Sequence, residues 1–445
     1  MLETLNTLLW GPGTLALILG TGAWLTLRTG AFPQRNLGRA LALSLGREAR
    51  RKGRGGVSPF GSLMTALAST VGTGNIVGVA AALVSGGPGA LVWMELAALL
   101  GLAAKFAECM LAVKYRRVRR DGTRWGGPMA VMETRLGSAG AVLGRFYALF
   151  ALLMAFAMGA MAQSGALADT FSAAFTLPRW RVGLVTAALA LTILLGGIRR
   201  IADISTVLVP VMALLYLGGG LAVILGNLRR LPEALILMLR CAVAPEAALG
   251  GALGIVTRRE ALRWGVARSV FSNEAGLGSA AITAACADTE EPVKQGLISM
   301  TGVFFDTMVI CTVTGLAICC SGTLGAADGN GRPLTGAALT LRAFETVLGP
   351  LAPWLIGVAL GLFAFTSVLG CAVQAETTAS YLLGPEAVRP CRVLYGLAVF
   401  AGAVIPMATV LQLADLANAL MAFPNLVCLL LLSDEIAGEC GRKER

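Results

Sequence analysis

In the middle of an otherwise apolar stretch, Met64–Gly89, the run Thr70-Val71-Gly72-Thr73-Gly74-Asn75 sets two glycines among hydroxyl and carboxamide side chains. Glycine lowers the cost of leaving helical geometry. Unwound backbone inside a bilayer persists only where protein or a water-lined cavity satisfies its N–H and C=O groups. A break here aims free amides and carbonyls at a small polar guest, and the N-terminus of one half-helix favours an anion. The run reads as half of a solute-binding site. A structural reading competes with it: Gly74 and Gly78 have GxxxG spacing, which by itself lets two helices approach closely. A dinucleotide fingerprint is excluded, because no strand–turn–helix context surrounds the glycines and their spacing is wrong.

A second glycine-rich run, Ser272-Asn273-Glu274-Ala275-Gly276-Leu277-Gly278, lies two hundred residues on. Ionisable residues within apolar spans are the next candidates, since burying them unpaired is expensive. Lys105 and Glu108 share a helix face at i,i+3 and read as a structural pair or gate latch. Glu274, Asp306, Glu376 and Asp415 are the remaining acids. Glu274, inside the second run, is the first candidate for proton coupling, and Arg268 is expected to pair with it after the chain bends. The chain has no histidine, which removes His-based nucleophilic catalysis, His-metal sites and the commonest proton shuttle. Its ten cysteines show no CxxC spacing and sit mostly in apolar segments, where Cys behaves as a small buried hydrophobe.

The elements that must position these residues follow from composition. Of 445 residues, 56% are hydrophobic and 14% charged, with mean hydropathy +0.76. Those values define a polytopic helical membrane protein, a single membrane domain rather than a string of soluble ones. Ten apolar runs of membrane-spanning length stand out: Leu8–Leu27, Leu63–Val84, Ala90–Val113, Leu143–Phe171, Val182–Ile198, Ile204–Leu225, Leu297–Cys320, Trp354–Leu383, Val393–Val410 and Leu413–Leu432. The region Ala244–Ala287 is interrupted by charge. Glu3, rather than basic residues, precedes the first run, so a signal peptide is not expected.

The net charge of +11 is confined to short loops, as the positive-inside rule requires, and nucleic-acid binding is not expected. Basic clusters occur at Arg28–Arg54, Lys114–Arg135, Arg199/Arg200, Arg389/Arg392 and the tail Arg442, Lys443, Arg445. They fall on one side only if Ala244–Ala287 crosses once. About eleven spans are therefore expected, with the N-terminus outside and the C-terminus cytoplasmic in a bacterial inner membrane. Setting the first helix aside leaves five plus five. The expected division is residues 1–57 (extra helix and cytoplasmic loop), 58–226 (first repeat), 244–433 (second repeat) and 434–445 (tail). Glycine-interrupted segments opening each half point to an inverted-repeat transporter with a midplane site. The Ser321–Pro353 connection is expected outside as a lid.

Several blocks make the sequence recognisable: TALASTVGTGNIVGVAAAL, GGPGALVWMELAALLGLAAKFAECMLAVKYR, GGPM at Gly126–Met129, GGIRRIADISTVLVPVMALLYL, GVARSVFSNEAGLGSAAITAACADTEEPVKQGLISMTGVFFDT and, more loosely, LGLFAFTSVLG. In these the chain resembles the alanine or glycine:cation symporter family (sodium:alanine symporter-like), whose members have a LeuT-type fold. The resemblance implies symport of a small neutral amino acid, driven by sodium or alternatively by protons, with no organic cofactor.

A zwitterion needs donors for its carboxylate and acceptors for its ammonium, preferably neutral ones. The amides of Gly72, Thr73 and Gly74, with Asn75, are candidates for the carboxylate. Carbonyls near Thr70 and Phe271 are candidates for the ammonium, and Ser272 and Asn273 border the second break. The resemblance places Gln163 at the substrate pocket; alone it would read equally as an interhelical hydrogen bond. Phe271 is an aromatic wall or simply core. The span holding Thr366 and Ser367 lines a cation site in LeuT-type folds, where those hydroxyls join backbone carbonyls near Ala68 and Val71, in keeping with sodium's preference for oxygen. Adjacent hydroxyls also bond back to the preceding turn. Asn75, Thr70 and Asn273 are candidates for a second cation position.

One departure bears on substrate. Family members commonly carry Trp, then Ser-Tyr-Tyr-Gly-Glu, where this chain has Cys371-Ala372-Val373-Gln374-Ala375-Glu376. Cys371 for a large ring reshapes the pocket, and glycine, serine or glutamine stand beside alanine. Remote alternatives are a passive channel and a membrane-embedded enzyme; the latter lacks histidines or an Asp-rich motif to work with.

Overall fold

The computed structural model describes residues 6–444 apart from 7–8, 53–56, 119–121, 244–245, 249–254 and 330. Leu8 and Ala244, the expected starts of two segments, and Arg54, Arg119, Arg120 and Arg445 of the basic clusters lie outside the described residues. The chain is mostly helical, with two short antiparallel ribbons: Arg117–Val118 pairs Arg124–Trp125, and Glu246–Ala248 pairs Ile255–Thr257.

The expected apolar runs fall mainly in helices, with interruptions at residues 71–76 and 405–406, and local chemistry sets several starts. Pro59 opens Pro59–Thr70, whose Ser58 hydroxyl accepts from the Gly61 amide at 3.0 Å. Thr257 and Glu260 form a reciprocal cap on Arg258–Asn273 at 3.0 and 3.2 Å. By length and apolarity, seven helices suit a membrane crossing, or eight with one bent pair. The eleven expected are not reached by that measure. Pro12–Arg28 and Arg179–Leu194 have only 17 and 16 residues, and Arg258–Asn273 is too charged.

Tyr216, Phe344 and Phe363 anchor one part of the interior, with ring centroids 5.6 and 5.5 Å apart. The helix Gly336–Leu348, inside the expected lid, supplies Phe344 and sends the Thr340 hydroxyl to the Ile76 carbonyl at 3.3 Å. Gly370 of Ala352–Leu383 abuts Pro59–Thr70 so closely that a Cβ there would lie 2.4 Å from the Ser69 nitrogen. At the face bearing the basic loops, ion pairs tie the helix ends together. Arg124 meets Asp288 and Glu290, Arg28 meets Asp434, Lys294 meets Glu48 at 2.8 Å, and Lys443 meets Glu291 at 2.6 Å.

Candidate functional site

Both glycine runs are ruptures in helices. Pro59–Thr70 stops, Val71 and Gly72 are extended, Thr73–Asn75 makes one tight turn, and Val77–Gly86 leaves at 62° to the incoming helix. The Gly72 amide turns to the Asn75 carboxamide oxygen at 3.1 Å. The Ala68 carbonyl is thereby deprived of its i+4 amide. Arg258–Asn273 ends where Glu274 takes a left-handed conformation, φ 52°, followed by Gly276 and Gly278 at φ 85° and 80°. Glycine tolerates that region without a Cβ penalty; Glu274 does not.

The two ruptures meet at Asp306. The Asn75 carboxamide donates to an Asp306 carboxylate oxygen at 2.7 Å and to the Ser272 hydroxyl at 3.1 Å. Ser272 donates to the other Asp306 oxygen at 2.6 Å, and Thr307 adds a third donor at 3.0 Å. Asn273 donates to Thr307 at 3.1 Å, while its oxygen accepts from the Ala275 amide at 2.9 Å. Asn75 and Asp306 are 0% exposed. No Lys or Arg pairs with Asp306 among the described residues. A carboxylate so placed is satisfied in hydrogen bonds and unsatisfied in charge. Asp306 lies within Phe304–Cys311, a π-helical turn inside the span Pro292–Ser321; such bulges commonly mark functional positions. A second π-helical turn, Ala155–Ala162, runs directly into Gln163.

A cavity of about 500 Å³ reaches both ruptures: Thr73 and Gly74 of the first and Phe271 at the second line it. Its wall also includes Gln163, Arg268 and Asp415. Thr73 reaches the Gln163 oxygen at 3.4 Å. The volume suits a small organic guest.

Other expected site residues fall elsewhere. Thr70 bonds back to Ala66 at 3.2 Å. Ser367 faces Gly72, where a Cβ would lie 2.8 Å from its hydroxyl oxygen, and it donates to the Phe363 carbonyl at 3.0 Å. Thr366 bonds back to Leu362 and Phe363 and faces the Met212 sulfur at 3.2 Å. Ala68 and Val71 are fully buried at the first rupture. Cys371 does not line the cavity. It packs on Gly159, whose added Cβ would meet it at 2.2 Å, within a cluster that includes Tyr395. Glu376 is paired bidentately to Arg392 at 2.8 Å.

The expected Arg268–Glu274 pair does not form. The left-handed turn sends the Glu274 carboxylate to the Ser279 hydroxyl, and the charged neighbour of Arg268 is Asp415. The Lys105–Glu108 pair is present at 3.4 Å and does more than pair. One Glu108 oxygen accepts from the Gly276 and Gly278 amides and from Asn425, each at 3.1 Å; Lys105 donates to the Glu274 carbonyl at 3.1 Å. Asn425 also donates to the Gly276 carbonyl at 2.9 Å. The sequence flagged Asp306 and Glu108 as buried acids; their links to the ruptures needed coordinates.

Paired ruptures beneath a cavity in a helical membrane bundle define a transporter of the LeuT type. A crystal structure of MhsT in complex with L-phenylalanine superposes with TM-score 0.59 at 15% identity, covering 84% of this chain and 88% of that one. The profile of the sodium:alanine symporter family matches residues 1–441, and the chain belongs to that family. It is 41% identical to the sodium/alanine symporter AgcS of Methanococcus maripaludis, over 99% of this chain and 96% of the relative. It is 37% identical to the probable sodium/glutamine symporter GlnT of Bacillus subtilis, over 96% and 87%. The activity is therefore secondary active symport of an amino acid with sodium.

Proposed function

We propose that the protein carries a small neutral amino acid into the cell with Na+, and that the cargo sits at the floor of the cavity between the two ruptures. The observation that carries this reading is the convergence of both ruptures on Asp306, with Thr73, Gly74 and Phe271 beside that junction lining the cavity. The amides of Thr73 and Gly74 face the cargo carboxylate, the Gly72 amide being taken by the Asn75 carboxamide; carbonyls released at Thr70 and Phe271 face its ammonium; Gln163 and the Phe271 ring flank the side chain. Asp306, with Asn75, Ser272 and Thr307, anchors one Na+, because a hard cation supplies the missing positive charge among oxygen ligands. Asn273 orients Thr307. Ala68, Val71, Thr366 and Ser367 offer neutral oxygens for a second.

By the positive-inside rule the face bearing the basic loops is cytoplasmic, the N-terminus outside, and the cavity faces outward. A larger cargo such as glutamine is the second reading. It is favoured by the 500 Å³ cavity, well beyond alanine's size. An uptake panel in proteoliposomes tests both, with sodium replaced by potassium and pH varied separately. Accumulation that requires a sodium gradient supports symport, and the preferred substrate chooses between the readings. Equilibration without any ion gradient sinks it.

A further inference from the structure

A crevice of about 280 Å³ lies between Pro59–Thr70, Gly197–Gly226 and the π-helical turn Phe304–Cys311. Among the described residues that line it, all but Arg50 are apolar. Phe60, Leu63, Leu67 and Val71 supply one wall at helical spacing, so the crevice follows the incoming half of the first rupture as far as its break. At about 1.5 Å per residue, Phe60 to Val71 spans roughly 16 Å, the hydrocarbon depth of one leaflet in a core of about 30 Å. Pro210 has no amide to give the preceding turn of Gly197–Gly226, and its ring forms part of the opposite wall. Leu214 lines the crevice while 72% exposed, and Val207 and Val211 on the same helix are exposed beside it. On a helix of membrane-spanning length such a stripe faces lipid, so acyl chains rather than water have access to the slot.

Charge is confined to one end. The Arg50 guanidinium lies 4.7 Å from the centroid of the Phe60 ring, at the start of the first broken helix. Arg47 and Arg51 beside it are exposed and, like Arg50, join no ion pair among the described residues. Glu48, between them, is taken by Lys294 at 2.8 Å. Lys52 meets Asp203 at 2.5 Å, which fixes this basic segment to the helix that carries Pro210. An apolar slot one leaflet deep with unpaired cations at its end is complementary to a lipid with an anionic head. A zwitterionic head brings its own ammonium to compete with the arginines.

We propose that this crevice holds one acyl chain of an anionic phospholipid from the cytoplasmic leaflet, with its phosphate on Arg50, and that the lipid braces the first broken helix up to Val71. The leaflet follows from the orientation proposed above; the binding does not depend on the cargo. Swinging Pro59–Thr70 about Val71 reshapes the slot, and an occupied slot resists that motion.

The test is native mass spectrometry of the full-length protein, delipidated in detergent and titrated with phosphatidylglycerol or with phosphatidylcholine of identical chains. Wild type is expected to hold one phosphatidylglycerol at least tenfold more tightly than phosphatidylcholine. Arg50→Gln brings the two lipids within threefold of each other. Ala213→Phe and Leu214→Trp, which narrow the crevice without touching a charge, each weaken phosphatidylglycerol at least fivefold. Leu214 is exposed, so its variant keeps the test open if Ala213→Phe fails to fold, as judged by size exclusion. Arg39→Gln, which removes a charge outside the crevice, leaves binding unchanged. Equal affinity of wild type for the two lipids, or a preference that survives Arg50→Gln, overturns the proposal. So does wild-type binding by both crevice variants, which assigns the lipid to the basic surface alone. A protein dimer in place of the lipid adduct assigns the crevice to a second copy of the chain and overturns it as well. Each of these outcomes leaves the uptake panel to decide the cargo on its own.

Discussion

Replacing Asp306 by asparagine removes the negative charge at the junction of the ruptures while keeping side-chain size. In the structure three donors, Asn75, Ser272 and Thr307, surround that carboxylate at 2.6–3.0 Å, with no cationic side chain paired to it among the described residues. A sodium ion about 4 Å from the carboxylate in a medium of effective dielectric about 20 gains roughly 4 kcal/mol. Losing that attraction corresponds to roughly a thousandfold in sodium affinity. The assay is thermal melting of purified protein against sodium at constant ionic strength. Wild type gains about 2.7 kcal/mol of stability when sodium reaches about 100 times its dissociation constant. Asp306→Asn is expected to melt near the wild-type temperature without sodium, since a buried uncompensated charge has been relieved even as charge-assisted hydrogen bonds are lost. It is expected to lose the share of the sodium response that this site contributes over the same range and to lose concentrative uptake. A sodium-dependent rise equal to that of wild type refutes the reasoning.

Glu108→Gln leaves Lys105 buried without its partner and weakens the acceptor for two amides of the second rupture. It is expected to destabilise by about 3–5 kcal/mol, whereas the double change with Lys105→Met recovers part of that loss in the same melting assay. Gly370→Ala forces a methyl within 2.4 Å of the Ser69 nitrogen and should cost about 1–3 kcal/mol or more. Gly74→Ala, with nothing within 4 Å of the added carbon, should melt within about 1 kcal/mol of wild type. At the face bearing the basic loops, the Lys443 hydrogen bond chiefly holds Glu291 below its ordinary value of 4.5. A lowered folded-state value means stabilisation is complete above the unfolded value and vanishes as pH falls through the folded one. The melting profiles of wild type and Lys443→Ala should therefore differ by at most about 1 kcal/mol at neutral pH and converge as pH falls through the lowered folded-state value of Glu291.

The ruptures were legible because glycine and small polar residues stand out against a lipid-compatible background at Thr70–Asn75 and Ser272–Gly278. The helices were legible for the same reason, although short and charged ones fall outside a length-and-apolarity measure. The partners of the ruptures were not. Asp306 owes its direction to a π-helical turn, which hydropathy does not register, and Glu108 was visible only as half of an i,i+3 pair. Sequence distance also misled at Arg268. Six residues from Glu274 invited a pairing that the left-handed turn at Glu274 prevents, and the true charged neighbour, Asp415, lies on a helix from the far end of the chain. Cys371 shows the converse: a replacement marked by comparison with relatives packs on Gly159 rather than lining the cavity.

The carboxylate of Glu108, grasping two amides of the second rupture while Lys105 and Asn425 hold its carbonyls, makes the two ruptures mechanically unequal. One is riveted to its neighbours from behind; the other is held chiefly at its tip, through Asn75. Such a vice has an anvil and a hammer. Rearrangement around the cargo falls to the first broken helix, and stiffening its hinge at Val71–Gly72 should arrest the cycle more completely than any equal change at Gly276.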